Sequence, residues 1–465
     1  MDELAKERYD LAVERIREIR EEKTVAEPYL DFFTKTAGFL EEMIRLRDRV
    51  EAVEMKKLSL EELRRENTQC YQDILPENYP TSYASPDYAA KMLGEDLGVL
   101  LSFLYTELCG MIVYAWEQKN WDFLVGLELF LQVYSEFENG EVPTRENVRK
   151  ILYWYVNDYC QEMVEERVRQ AVDPSLDFAV KIIKDADLKD LRYLYQFGEY
   201  VTEEEEKTAA FLNTLPEEEI TAMARTYTEG YRIGFIATGK DLSRKKTVNI
   251  RYVLGFERMI RAAITQFEQM GLQPVIYRSA VHMVNKGLHR IGYYGAIPNP
   301  QFDYDHRNDI ALYLDDDFVS RKLRATRGAY ETYKELAGVH AGPAVVEIFG
   351  ERPFVPETCE YAMKLTEKQQ KLKVHMQNEI GQITNRYKGE ERSFTIIAYP
   401  VPAIGDQFEE IFRETVKINT LDYNLYQQIQ QKLIDALDLG TSVHILGKGE
   451  NRTDLRVQLH KLEDP

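Results

Sequence analysis

The sequence predicts an α/β protein whose first half is an all-α domain, on three observations. Apolar residues recur at helical spacing throughout the first half, where Ala12, Ile16 and Ile19 share one face and Phe32, Phe33, Phe39, Leu40 and Ile44 continue another. From Tyr231 onward the pattern changes to short β-rich runs alternating with amphipathic helices, which predicts a mostly parallel, helix-covered sheet. All seven histidines lie at or after His282, and glycines concentrate after Gly230. At 465 residues the chain exceeds one typical core. It therefore divides into a helical domain, 1–229, and an α/β domain, 230–465, with the seam near 216–230.

The individual elements follow in chain order. Ser59 and Glu62 have the spacing of a capping box, and Thr144 is a start signal for the aromatic helix at 151–159. Pro76, Pro80 and Pro86 mark a loop. Residues 97–116 are apolar enough to suggest a membrane span, but Glu107 sits at their centre, and a carboxylate in mid-bilayer is costly. A buried bundle helix is the expectation. Trp116, Trp121 and Trp154, with their neighbouring Tyr and Phe residues, are expected in the core. Beyond the seam, strands are expected at 247–252, 274–277, 310–314, 393–399 and 442–446, with helices at 255–270, 319–336, 357–385 and 406–437. The first strand, helix and second strand make one βαβ unit. In His340–Gly350, small residues flank a possible turn with Pro343 at a helix start, and packing of a helix against the sheet is the expected role.

Composition narrows the function. With 79 acidic against 59 basic residues the net charge is −20, whereas a nucleic-acid partner calls for clustered Lys and Arg. Four separated cysteines, Cys70, Cys109, Cys160 and Cys359, make neither a disulfide scaffold nor a Cys-x-x-Cys site. The acidic opening MDELAKERYD is unlike an export signal. A cytoplasmic protein with neither nucleic-acid nor membrane partners is expected.

The final stretch, GTSVHILGKGENRTDLRVQLHKLEDP, reads as strand, Gly-rich turn and strand, and it follows the helix EIFRETVKINTLDYNLYQQIQQKLIDAL. Together with TVNIRYVLGFERMIRAAITQFEQMGLQPVIYR, HAGPAVVEIFGERPF and ERSFTIIAYPVPAIG, it resembles the N-terminal half of the aminopeptidase T (thermophilic leucyl aminopeptidase) family of two-metal exopeptidases. The similarity covers residues 231–465 and nothing upstream. It implies an enzyme that removes N-terminal amino acids from peptide substrates, uses two divalent metal ions of the zinc, cobalt or manganese type, and assembles as a homo-oligomer, in that family a dimer. The family's Glu, His, Tyr and Asp ligands belong to its C-terminal half, so the resemblance assigns no catalytic, cofactor-binding or metal-binding residue to this chain. The natural polypeptide is expected to continue past Pro465, and the chain as given to be inactive as a peptidase. The alternative is a non-catalytic binding or assembly module derived from that family.

The residues themselves point the same way. His282 and His289 lie seven apart on an expected helix, about 10 Å along its axis and too far apart to share one metal. His306, in FDYDHRND near Asp315–Asp317, reads as part of a solvated acidic loop before a helix N-terminus. Cys359 has no neighbouring imidazole and reads as structural at a helix start. Gly447-Lys448-Gly449 lacks the third glycine of a dinucleotide site and the pattern of a P-loop, so a turn between strands is expected.

Overall fold

The computed structural model describes residues 3–287, 289–420 and 423–461. The chain forms two compact units, Met1–Glu409 and Glu410–Pro465.

The first unit opens with helices, as the periodicity predicts. Helix Glu3–Glu21 buries Tyr9, Ile16 and Ile19, and helix Tyr29–Glu51 buries Phe32, Phe33, Leu40 and Ile44. The capping box forms as expected: the Ser59 hydroxyl accepts the Glu62 N–H while the Glu62 carboxylate accepts the Ser59 N–H at 2.8 Å. Thr144 likewise caps helix Arg145–Asp158. The apolar stretch 95–117 is long and apolar enough to cross a membrane, but it folds as helices Glu95–Leu108 and Met111–Glu117, and 83% of its apolar window is buried inside the protein. Trp116 is buried as expected. Trp121 and Trp154 are not, being 43% and 50% exposed. The region 216–230, where the composition changes, is spanned by one helix, Glu217–Ala237, inside the first unit.

The sheet of this unit contains β1 (Thr247–Val253), β2 (Gln273–Val275), β3 (Tyr293–Tyr294), β4 (His340–Phe349) and β5 (Thr395–Pro400). Its order is β2-β1-β4-β5, with β3 also pairing β1, and every pairing is parallel. Helix Glu257–Gln269 is the crossover from β1 to β2, with Met259, Ile260, Ala263, Ile264 and Phe267 buried on one side.

Several elements differ from expectation. His340–Phe349 is not a turn and helix start but the strand between β1 and β5. Its Val345-Val346-Glu347-Ile348-Phe349 run suits a strand, and the register slip between Thr247 and Asn249 absorbs Pro343, which has no N–H to donate. Residues 310–314 form no strand. Residues 310–312 lie in a short 3-10 turn, Asp309–Leu312, whose first side chain is held by His306. The helix expected from 357 begins at Glu367, capped by Thr366; before it, the N–H groups of Glu357, Glu360 and Tyr361 donate instead to the side chains of Gln301 and Asp87. Residues 406–437 form two helices, Phe408–Asn419 and Tyr423–Asp438.

In the second unit, helix Tyr423–Asp438 is followed by the antiparallel hairpin β6 (Ser442–Leu446) and β7 (Asp454–Gln458). The Gly-rich segment is the turn of this hairpin, with the Asn451 side-chain oxygen accepting the Thr453 N–H at 3.0 Å. Leu425, Ile429, Leu433, Ile445, Leu446, Leu455 and Val457 are exposed.

Candidate functional site

The two faces of the parallel sheet differ in chemistry. One face carries Val248, Ile250 and Tyr252 from β1, Ala344 and Val346 from β4, and Ile397 and Tyr399 from β5, all buried. The other carries Asn249 and Arg251 from β1 and Glu347 from β4, since residues directly paired across parallel strands share a face. A cavity of about 1220 Å³ adjoins this polar side. Its walls include Lys322 and Tyr330 of helix Asp316–Thr332, Lys373 and Lys388 of helix Glu367–Lys388, and the segment that follows β2.

Neighbouring groups fix the cations of the cavity. Asn249 donates through its amide to the Val275 carbonyl at 3.1 Å, and its oxygen accepts Arg251 Nε–H at 2.6 Å. Among the described residues, the terminal nitrogens of Arg251 have no partner. Arg167 donates to the carbonyls of Arg278 at 2.8 Å and Ile291 at 3.1 Å, with its guanidinium 4.6 Å from the centre of the Tyr277 ring. Burial lowers the proton affinity of Arg167. Lys322 donates to the Val284 carbonyl, and burial brings its ammonium down to about 8. Lys388 is only 8% exposed, and burial, then the charges of Arg251 and Arg392, push it down to about 7. Among the described residues, Nδ1 of buried His340 has no partner, and desolvation followed by the charge of Lys388 keeps the ring neutral.

Among the described residues, none of Arg167, Arg251, Lys322, Lys373 and Lys388 has a carboxylate within ion-pair distance. The cavity's acids are largely committed elsewhere. Glu107 holds His282, Glu199 holds Arg278, and Asp303 holds Lys286 and Arg290. Glu347 and Glu351 stand toward Tyr294.

The segment after β2 is fastened by buried ion pairs. Arg278 donates through Nε to Glu117 at 2.8 Å and through a terminal nitrogen to Glu199, and Tyr293 donates its hydroxyl to the same Glu117 oxygen at 2.9 Å. His282 lies between Glu107 and Asp122. The expected helix around His282 and His289 is absent; residues 282–285 make a turn held by those carboxylates. His306 is not solvated either. Its Nδ1 is 2.6 Å from Asp309, and its Nε2 donates to the Ala84 carbonyl at 2.7 Å. Asp315 does cap helix Asp316–Thr332 through the Phe318 N–H. Cys359 lies in the extended segment before helix Glu367–Lys388. Its thiol, directed at Asp87 at 3.1 Å, is pushed up to about 12 by burial and that carboxylate.

No group of three or more His, Cys, Asp or Glu among the described residues could hold a metal ion, so these residues do not fit a two-metal centre. The cationic cavity had one visible sequence signal. Thr247-Val-Asn-Ile-Arg-Tyr-Val alternates polar and apolar residues, although a parallel strand covered on both faces normally reads as continuously apolar. Arg167 and Lys388 had none, because tertiary packing alone brings them to that strand. No protein-family model, curated protein or solved structure matches the chain.

Proposed function

We propose that this chain is part of a metal-dependent aminopeptidase of the aminopeptidase T type, contributing to the enclosure of peptide substrates while residues outside it hold two divalent metal ions. The complete cytoplasmic enzyme, a homo-oligomer, removes N-terminal amino acids from peptides. One observation carries the reading. The three internal segments similar to that family supply β1, helix Glu257–Gln269, β2, β4 and β5, so the similarity falls on one contiguous sheet and its crossover rather than on scattered pieces. The metal chemistry of such an enzyme is Lewis-acid activation of water and of the scissile carbonyl. No step of it is assigned to a residue of this chain.

Hydrolysis of leucine p-nitroanilide with added zinc, cobalt or manganese tests the proposal, using this chain and the natural reading frame that contains it. Metal-dependent turnover by the product of that reading frame, and none by the 465-residue chain alone, is expected. Absence of turnover from both would contradict the peptidase reading. A non-catalytic binding role is the second reading, favoured by the cavity of unpaired cations.

A further inference from the structure

Five basic residues of the cavity, Arg167, Arg251, Lys322, Lys373 and Lys388, are anomalous in this protein, whereas Lys286 and Arg290 beside them are paired with Asp303. Acids outnumber bases by 79 to 59, so carboxylate partners are plentiful, and most buried or half-buried cations elsewhere in the fold have one, as Arg15, Arg64 and Arg278 do. Burying an ammonium or guanidinium without a counter-charge costs stability. Lys388 is buried and Arg167, Arg251, Lys322 and Lys373 are partly so, and the cost of such a set lining one cavity is offset when something outside the chain supplies the negative charge.

We propose that this cavity binds a small organic molecule through an oxyanion group, phosphate or carboxylate, held by Arg251 and Lys388. The inference rests on the cavity alone and holds whether or not the chain belongs to a peptidase. Asn249 takes the Nε edge of Arg251, so the remaining guanidinium nitrogens are the part of the fork left for two oxygens of one ligand group. Among the described residues the Lys388 ammonium has neither a hydrogen bond nor an ion pair, so it is a third donor. Arg167 adds positive charge, but its terminal nitrogens already donate to the Gln170 side chain and to the carbonyls of Arg278 and Ile291. A lone inorganic ion would leave most of about 1220 Å³ unfilled. The aromatic and apolar walls, Tyr277, Tyr330, Met376 and Ile380, suit a ligand body with an apolar or aromatic surface.

The test uses the full chain with phenyl phosphate, benzoate and uncharged benzyl alcohol at matched ionic strength, followed by calorimetry and thermal unfolding. One or both anions are expected to bind and raise the melting temperature, while benzyl alcohol does neither. Binding of phenyl phosphate alone assigns a phosphoryl group, of benzoate alone a carboxylate, and of both the shared oxyanion chemistry. Arg251→Gln is expected to weaken binding at least tenfold. Lys388→Met is expected to raise the melting temperature of the free protein, because it removes a buried unpaired ammonium, and to weaken anion binding. Should Arg251→Gln not fold, Lys388→Met carries the comparison. The proposal is overturned if neither anion binds, if benzyl alcohol binds equally well, or if anion binding is unchanged by the substitutions.

Discussion

The Nδ1 atom of His282 lies 3.0 Å from Oε1 of Glu107, the carboxylate in the middle of the most apolar stretch of the chain. Glu107 also accepts the Tyr155 hydroxyl at 3.1 Å and the Met283 N–H at 3.2 Å, and His282 Nε2 meets Asp122 at 3.1 Å. An acid that looks misplaced in a buried helix is therefore the anchor of the segment following β2, one wall of the cavity. Replacing His282 with Leu leaves Glu107 buried without its counter-charge. A loss of about 3–5 kcal/mol is expected by denaturant unfolding at neutral pH.

The same pair sets a pH dependence. Burial alone would depress the imidazole, but hydrogen bonds and charge from Asp122 and Glu107 override it and hold His282 up at about 9. A folded value above the unfolded one of about 6.5 means that this stabilisation is complete below about pH 6.5 and is lost as pH rises through 9. Melting curves from pH 6 to 10 should show that decline in the wild type and a flatter profile in His282→Gln.

Glu257 opens the crossover helix and is fully buried. It accepts the Tyr193 hydroxyl at 2.7 Å and the Gly255 N–H at 2.9 Å through one oxygen, while among the described residues its other oxygen, toward Tyr252, has no partner at full hydrogen-bond geometry. Burial raises this carboxyl to about 7. Its contribution to stability is fully present below about pH 4.5 and is lost as pH rises through 7. Glu257→Gln keeps an acceptor without the charge, so it should remove this part of the pH dependence. Unfolding free energies at pH 5 and pH 8 check it: the wild-type difference between the two should exceed that of the variant.

Gly342 has φ +116°, and a Cβ placed there would lie 1.9 Å from the Ser393 carbonyl oxygen. Gly342→Ala must both strain the backbone and push β4 away from the segment entering β5. Destabilisation of at least about 2–4 kcal/mol is expected, measured by thermal or denaturant unfolding. The site of this close approach was invisible in the sequence, where His340–Gly350 reads as a turn. Its Val345–Phe349 run suits a strand, but the pairing that places it between β1 and β5 is a long-range fact.

Other parts were legible because they depend on local chemistry. Ser59 and Glu62 carry their cap in four residues, β1 and its crossover helix declare themselves by period, and Ser442–Leu446 is bounded by glycines. The site was legible only in the alternation around Asn249 and Arg251. Lys388 lies 137 positions from Arg251, and nothing near either residue records their meeting.

The hairpin of the second unit should be its least protected regular structure. Both β6 and β7 are largely exposed, in contrast with β1, and a two-stranded ladder is marginal in water. Native-state hydrogen exchange should therefore be faster at Ser442–Leu446 and Asp454–Gln458 than at Thr247–Val253.

Metal stoichiometry bears most directly on the proposal that this chain encloses substrate while other residues hold the catalytic metals. The purified chain is dialysed against zinc, cobalt or manganese, its bound metal is counted, and its hydrolysis of leucine p-nitroanilide is followed in parallel. The account predicts no stoichiometric metal and no turnover for this chain, with two metals per subunit and metal-dependent turnover for the product of the natural reading frame. Two bound metals with turnover in this chain alone, or neither in the product of the natural reading frame, would contradict it.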